Sequence, residues 1–392
     1  MANAILIHNA NLYAPTPRGI QDFLIVNGSV VKIAPHIDAA PIELPLQVID
    51  AAERMVIPGY VDQHVHIIGG GGESGFYSRT PEIMLSNLTT AGITTVIGVI
   101  GTDGTSRHPE TLLAKARGLT QEGITAYMLT GSYELPLHTI LEDARKDIII
   151  VNECLGIGEI ALSDHRSSEP TQEELTKVLT QARLGGMLSG KTGVVQFHMG
   201  VGKKGIGLLL DILADSEIPA KHIIPTHINR AFHLFEQAKE LAKKGGYIDI
   251  TSGIREQDGF PACVKPSDAI AQLYSDGVPM EQVTMSSDAN GCMSVVLPDG
   301  SAKQLAVDAS SFHEEVRDAL LAGIVPAEQV IAVATSNPAR ANGLYPKKGC
   351  LAVDSDADMI ILDENLLVDT VIAKGKVMVQ NKKVLVKGTF EH

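Results

Sequence analysis

Short runs in which apolar and polar residues alternate occupy both ends of this chain, and a different texture fills the middle. Up to about Ile57 the runs are Ala4–His8, Phe23–Val26, Val30–Ile33 and Gln47–Asp50, with Asn27-Gly28 as a hairpin signal between two of them. From about Tyr345 the same texture returns in Met359–Leu362, Val368–Ala373, Lys376–Val379 and Lys383–Val386. Two β-rich ends around a different middle predict one small β-sandwich domain built from both termini, residues 1–57 and 345–392.

Between them, over residues 58–344, short apolar runs alternate with longer helical patterns, as expected of βαβ units and a parallel sheet. The predicted strands are Tyr60–His66, Thr94–Gly101, Thr125–Gly131, Ile157–Ala161, Val194–His198, Ile223–His227, Ile248–Thr251 and Val283–Asp288. Helical stretches such as Pro109–Glu122, Glu173–Arg183, Arg230–Lys244 and Ser267–Ser275 separate them. Thr171 with Glu174 three residues on forms a capping box that opens one helix. Eight strand–helix units predict an α/β fold, a TIM-like (β/α)8 barrel rather than an open doubly wound sheet.

Composition narrows the function. The 392 residues carry 46 Asp+Glu against 32 Lys+Arg, a formal charge of −14. A chain this acidic has no surplus of cations for phosphate backbones or anionic lipid, so neither nucleic acid nor membrane is an expected partner. The four cysteines, Cys154, Cys263, Cys292 and Cys350, form no CxxC pair and no disulfide framework. The first basic residue is Arg18, and no apolar run approaches the ~18 residues of a membrane span. The expected compartment is a reducing cytoplasm.

Candidate chemistry gathers where the predicted strands end. His64-Val65-His66 closes the first, and residues two apart on a strand share a face, so both imidazoles can chelate one ion. Glu159 ends the fourth, His198 the fifth, His227 the sixth and Asp288 the eighth. In a barrel these ends converge on one mouth, where active sites are built. The nitrogen and oxygen donors suit zinc or a similar divalent ion, and six donors exceed the three that one catalytic zinc takes. Two metals sharing one carboxylate and one hydroxide use them all, and the fourth strand stands between the two histidine pairs as the source of the bridge.

HVH after VIPGYVD, the carboxylate on strand four, single histidines on strands five and six, and SSDANG on strand eight resemble the amidohydrolase superfamily over nearly the whole chain. HVHIIGGGGE, LTGSYELP, SDHRS, THINR and SSDANG resemble, more narrowly, the bacterial isoaspartyl dipeptidases. That resemblance implies a cytoplasmic binuclear zinc peptidase that cleaves β-aspartyl dipeptides by attack of a metal-bridging hydroxide. It also implies a homo-oligomer, commonly an octamer. It assigns His64, His66 and Asp288 to one zinc and His198 and His227 to the other. It gives Glu73 the substrate ammonium, Tyr133 the oxyanion, and Arg166 and Arg230 the substrate carboxylates. Gly71 and Thr102 become pocket contacts, and Asp288 also becomes the base. The substrate's two carboxylates and one ammonium independently call for about two cations and one anion, and guanidinium grips carboxylate bidentately. The glycines at 69–72 permit either close backbone approach or a hinged lid.

Two positions depart from the family pattern. Its bridge is usually a carboxylated lysine, where this chain has Glu159, a carboxylate that needs no carbon dioxide adduct. Cys292 stands where the family commonly has a substrate-binding serine, and a thiol is a weak donor. The enzymatic alternative is a cyclic-amide hydrolase of the dihydroorotase or hydantoinase kind. Dihydroorotases usually carry HxHxR, whereas His66 here is followed by Ile67 and Ile68. A metal-free scaffold is the non-enzymatic alternative.

Overall fold

A computed structural model of the chain describes residues 4–40, 42–296 and 302–391. Strands from both ends of the sequence share one sheet. The first five are β1 (Ala4–Tyr13), β2 (Pro17–Val26), β3 (Ser29–Ala34), β4 (Leu46–Asp50) and β5 (Met55–Pro58). The last four are β16 (Met359–Leu362), β17 (Val368–Ala373), β18 (Lys376–Gln380) and β19 (Lys383–Val384). Their order is β19-β18-β17-β16-β5-β1-β2-β3, with β4 also paired to β1. The antiparallel β5–β16 ladder therefore joins the two ends, and Val26 pairs with Ser29 across the Asn27-Gly28 turn. Inward-facing Ile5, Ile7, Leu12, Phe23, Ile25, Met359 and Ile361 form a core of their own.

The middle of the chain carries eight parallel strands: β6 (Tyr60–Val65), β7 (Ile93–Gly98), β8 (Thr125–Thr130), β9 (Cys154–Leu162), β10 (Val194–Met199), β11 (Ile223–Thr226), β12 (Ile248–Thr251) and β13 (Val283–Ser286). β6 to β11 pair in chain order, and β12 pairs with β13. Past β13 the chain returns to the first strand: Asp288 N donates to His64 O at 3.1 Å and His66 N to Ala289 O at 2.9 Å. This mixed α/β arrangement is consistent with a TIM-like barrel. The strands are buried on both faces, as parallel strands under helices are.

Helices α1 (Leu85–Thr89), α2 (Pro109–Glu122), α3 (Ala144–Ile150), α4 (Gln172–Ser189), α5 (Gly207–Asp215), α6 (Phe232–Lys243) and α7 (Pro266–Ser275) lie between these strands. Each of the longer ones buries an apolar stripe at helical spacing, Leu112, Ala116 and Leu119 on α2 and Leu175, Val178, Leu179 and Ala182 on α4. The capping box forms as expected: Thr171 N donates to Glu174 Oε2 at 2.8 Å and Glu174 N to Thr171 Oγ1 at 3.3 Å. Such a cap contributes about 1 kcal/mol.

Two features lie outside the sequence expectation. A hairpin, β14 (Cys292–Val296) and β15 (Ala302–Ala306), follows β13, and α8 (Ser310–Ala322), α9 (Ala327–Ala334) and α10 (Ser336–Ala341) complete the middle segment. No helix among the described residues is long and apolar enough to cross a membrane.

Candidate metal centre and its cavity

Six side chains converge at the C-terminal ends of the parallel strands. Two triads of possible ligands, His64–His66–Glu159 and Glu159–His198–His227, share the Glu159 carboxylate. Glu159 Oε2 lies 3.3 Å from His64 Nε2, 3.0 Å from His198 Nδ1 and 3.8 Å from His227 Nε2, while Oε1 is 3.6 Å from His66 Nε2. Asp288 Oδ1 closes the first group, 3.0 Å from His66 Nε2 and 3.6 Å from His64 Nε2. His64 Nε2 and Glu159 Oε1 are buried with no hydrogen-bond partner. Orphaned acceptors and imidazoles crowded round one carboxylate fit a pair of divalent cations, which would satisfy all of them together.

The backbone that aims these groups is irregular where they sit. β9 does not end at Glu159 but continues to Leu162. Opposite Val195–Phe197 it spends one extra residue between Ile157 and Ile160, and β6 does the same between Asp62 and Val65 against β7. Such bulges re-aim side chains beside active sites. His227 (φ +63°) and Asp288 (φ +59°) stand in the left-handed region just beyond their strands, a conformation uncommon for residues other than glycine and concentrated at functional sites.

Buried polar neighbours orient the imidazoles. His64 Nδ1 donates to Gln196 Oε1 at 2.7 Å, which turns Nε2 toward Glu159, and His227 Nδ1 lies 2.8 Å from Thr251 Oγ1. Deeper still, Asp249 accepts from Gln63 Nε2 at 2.6 Å and Thr226 Oγ1 at 2.7 Å. Charge is distributed accordingly. Burial alone would raise Glu159, but the His64 and His198 imidazoles hold it well below the usual carboxylate range. Burial alone would lower His64, but the Glu159 and Asp288 charges outweigh it and raise its basicity, as suits a candidate metal ligand. Burial likewise opposes ionisation of Asp288, and His66 and His227 overcome it, so it stays a carboxylate. Burial and the Glu159 charge push the Tyr133 phenol well above its ordinary value, keeping its hydrogen.

Above this cluster opens a cavity of about 600 Å³. Gly71, Glu73, Thr102, Tyr133, Arg166, Arg230 and Cys292 all line it, so every substrate contact expected from the sequence reaches one space together with His66, His198 and Asp288. The Tyr133 hydroxyl lies 2.6 Å from His198 Nδ1. Arg230 donates to Met199 O at 3.2 Å, and its buried Nε has no partner. Arg166 NH1 donates to Glu73 Oε1 at 2.8 Å. Cys292 Sγ donates to Gln304 Oε1 at 3.2 Å.

Several site residues were not anticipated. Asp164, two positions before Arg166 in SDHRS, accepts from Arg166 Nε at 2.8 Å and NH2 at 2.9 Å, and its Oδ2 lies 3.3 Å from His198 Nε2. An acid two residues from a proposed carboxylate-binding arginine is the signal that could have found it. Buried Arg107 donates to Gly70 O at 2.9 Å and Gly71 O at 3.2 Å, anchoring the glycine run in this conformation. Phe260, from the segment after β12, gives the cavity an aromatic wall. Gly101 (φ +84°) packs under His66, and a Cβ there would fall 2.7 Å from His66 Cε1. Gly101→Ala should therefore displace that imidazole, lowering bound metal and turnover by about tenfold or more; a variant with wild-type metal content and rate would remove Gly101 from this role.

Comparison with known proteins agrees with this geometry. The family model described as "Amidohydrolase family" matches residues 55–390. The β-aspartyl dipeptidase of Fervidobacterium islandicum AW-1, solved with β-Asp-Leu dipeptide, superposes with a TM-score of 0.90 at 38% identity, covering 97% of each chain. Dihydropyrimidinase from Brevibacillus agri NCHU1002 shares the fold at a TM-score of 0.71 and 17% identity, over 98% of this chain and 97% of that one. Among curated proteins, the dihydroorotase of Pelotomaculum thermopropionicum is 22% identical over 92% of this chain and 89% of its own length. Dihydropyrimidinase 2 of Caenorhabditis briggsae is 39% identical over 64 residues, which are 16% of this chain and 12% of that protein. With its family match spanning most of its length and its structure following a dipeptidase of 38% identity throughout, the chain belongs to the amidohydrolase family of hydrolytic enzymes.

Proposed function

We propose that this enzyme hydrolyses the isopeptide bond of β-aspartyl dipeptides at a two-metal centre. The observation that carries the reading is the charge arrangement of the cavity: Arg166, Arg230 and Glu73 stand over two potential metal triads that share Glu159, with Asp164 pairing the inner edge of Arg166 and Asp288 among the candidate metal ligands. A β-aspartyl dipeptide presents the complementary set, two carboxylates and one ammonium. The identity with the F. islandicum dipeptidase supports the same reading.

In this proposal His64, His66 and Asp288 hold one divalent ion, His198 and His227 the other, and Glu159 both. Zinc or a similar ion held there would supply Lewis acidity at the amide carbonyl and a nucleophile from water at neutral pH. Arg230, with an unfilled buried donor, is the stronger carboxylate clamp. Arg166 is already gripped along one edge by Asp164, so it offers NH1, and an incoming ammonium exchanges for it at Glu73. Tyr133, kept as a phenol, donates to the oxygen that becomes negative as the carbonyl is attacked. Asp288, kept as a carboxylate, takes the proton from the attacking water and passes it to the leaving amine.

The test is a kinetic screen of the zinc-loaded enzyme with β-Asp, γ-Glu and α-Asp dipeptides, beside dihydroorotate and hydantoin. β-Asp-Leu should be turned over fastest. Preference for either cyclic amide, or no turnover of any β-aspartyl dipeptide, would overturn the reading. Asp164 supplies a finer check. Asp164→Asn removes the carboxylate that grips the Nε and NH2 edge of Arg166 and leaves Glu73 as its charged partner, and KM should rise about tenfold, the scale of a charge-assisted hydrogen bond. An unchanged KM would show that Asp164 does not position the clamp.

A further inference from the structure

The opposite end of the same strands carries an unneutralised cationic cavity. Its volume is about 390 Å³, and Arg183, Lys191, Lys221, His222, Tyr247 and Arg340 line it with no carboxylate among the lining residues. Lys191 precedes β10, Lys221 and His222 precede β11, and Tyr247 precedes β12, whereas His198 and His227 lie at the other ends of β10 and β11. The cavity is therefore separate from the metal centre.

The cations are held but not neutralised. Lys191 Nζ donates to Ile148 O, Val151 O and Cys154 O at 2.7, 2.7 and 2.9 Å, which fixes its charge at the cavity wall. Arg183 spends one donor on Glu217 O at 3.2 Å. Arg340 lays its guanidinium 3.5 Å from the centre of the Tyr345 ring, a contact that uses its face and leaves its edge donors. Arg183, Lys221 and Arg340 have no ion-pair partner among the described residues. Buried His222 registers the resulting field: desolvation first, then the Lys221 and Arg183 charges, hold it below its ordinary value. In a chain of net charge −14, such a concentration is not a general surplus of cations.

We propose that this cavity binds a phosphorylated small molecule. A phosphate offers enough oxygens and charge for Arg183, Lys221 and Arg340 together, and Tyr247, Pro219 and Met187 give an apolar wall for the rest of the ligand. The volume lies within the range of small-ligand sites, roughly 300–1,000 Å³. Occupancy would tie α4, the turn before β11 and α10 together, and so stabilise the fold by mass action.

The experiment is calorimetric titration of the metal-loaded enzyme with AMP and with inorganic phosphate, adenosine and matched chloride serving as controls, alongside Tm. AMP should bind once per chain and raise Tm, and adenosine should bind about tenfold more weakly or worse. Binding by phosphate but not AMP would still support the anion site and assign it to the free ion. The double substitution R183Q/K221Q, at side chains outside the catalytic cavity, should weaken AMP by about tenfold or more while leaving dipeptide kcat/KM unchanged. Equal AMP affinity in that variant, no binding at all, or binding lost only in Arg166→Gln, which would put the anion at the catalytic mouth, would each overturn the proposal.

Discussion

Asp288→Asn should lower kcat for β-aspartyl dipeptides by about 10³-fold or more while the protein stays folded. The substitution preserves shape and removes basicity. Asp288 occupies the left-handed region at φ +59°, which asparagine tolerates better than other residues, so the turn after β13 keeps its geometry. Asn290 in the same turn already adopts φ +65°. What is lost is a carboxylate 3.0 Å from His66 Nε2 and 3.6 Å from His64 Nε2, which serves the proposal both as ligand and as proton carrier. An amide neither accepts the proton nor balances the cationic charge of the site. Steady-state kinetics together with a melting curve check this. Near-normal turnover in a folded variant would remove Asp288 from the proton path.

Glu159→Gln should cost about as much by a different route. Glu159 is the only side chain common to both triads, and it is fully buried among His64, His66, His198 and His227. An amide at this position keeps the size but loses the negative charge that, in this proposal, would hold two cations together. The expected result is a loss of about half the bound metal per chain and a fall in turnover of roughly 10³-fold. Elemental analysis of the purified variant separates the two effects. Since the wild-type carboxylate is encoded in the sequence, metal reconstitution should proceed equally well after bicarbonate depletion. A clear bicarbonate requirement would sink the assignment of Glu159 as the shared ligand.

Much of the site was legible because strand periodicity and chemistry coincide. The HxH at the end of the first barrel strand, and His198, His227 and Asp288 at later strand ends, are local facts about where apolar runs stop. A parallel arrangement brings those ends together whatever the details of packing. The roles of Glu73, Tyr133, Arg166 and Arg230 came from family resemblance, and their side chains do meet in one cavity. Asp164 could have been found beside Arg166, but its contact with His198 and the backbone partners of Arg107 lie far along the chain. A buried arginine that donates to the carbonyls of Gly70 and Gly71 looks, in sequence, like any helix-flanking cation.

The sequence by itself determined the alternation of strand and helix, the joined β-rich ends and the set of donor residues, since each depends on local periodicity or residue type. Only the tertiary structure decided how those donors point. The extra residues in β6 and β9 exist relative to β7 and β10, so no reading of one strand alone reveals them. The left-handed turns at His227 and Asp288, and the Gln196 and Thr251 contacts that aim the imidazoles, likewise depend on neighbours far along the chain. Net charge is likewise a total that leaves the local arrangement open. A surplus of 14 negative charges is a sum over the whole chain, while local packing sets Arg166 and Arg230 over the candidate metal ligands and Arg183, Lys221 and Arg340 at the far end of the strands. Electrostatic fields fall off over about 10 Å in salt, so neighbours in space, not totals along the chain, decide what each cavity attracts.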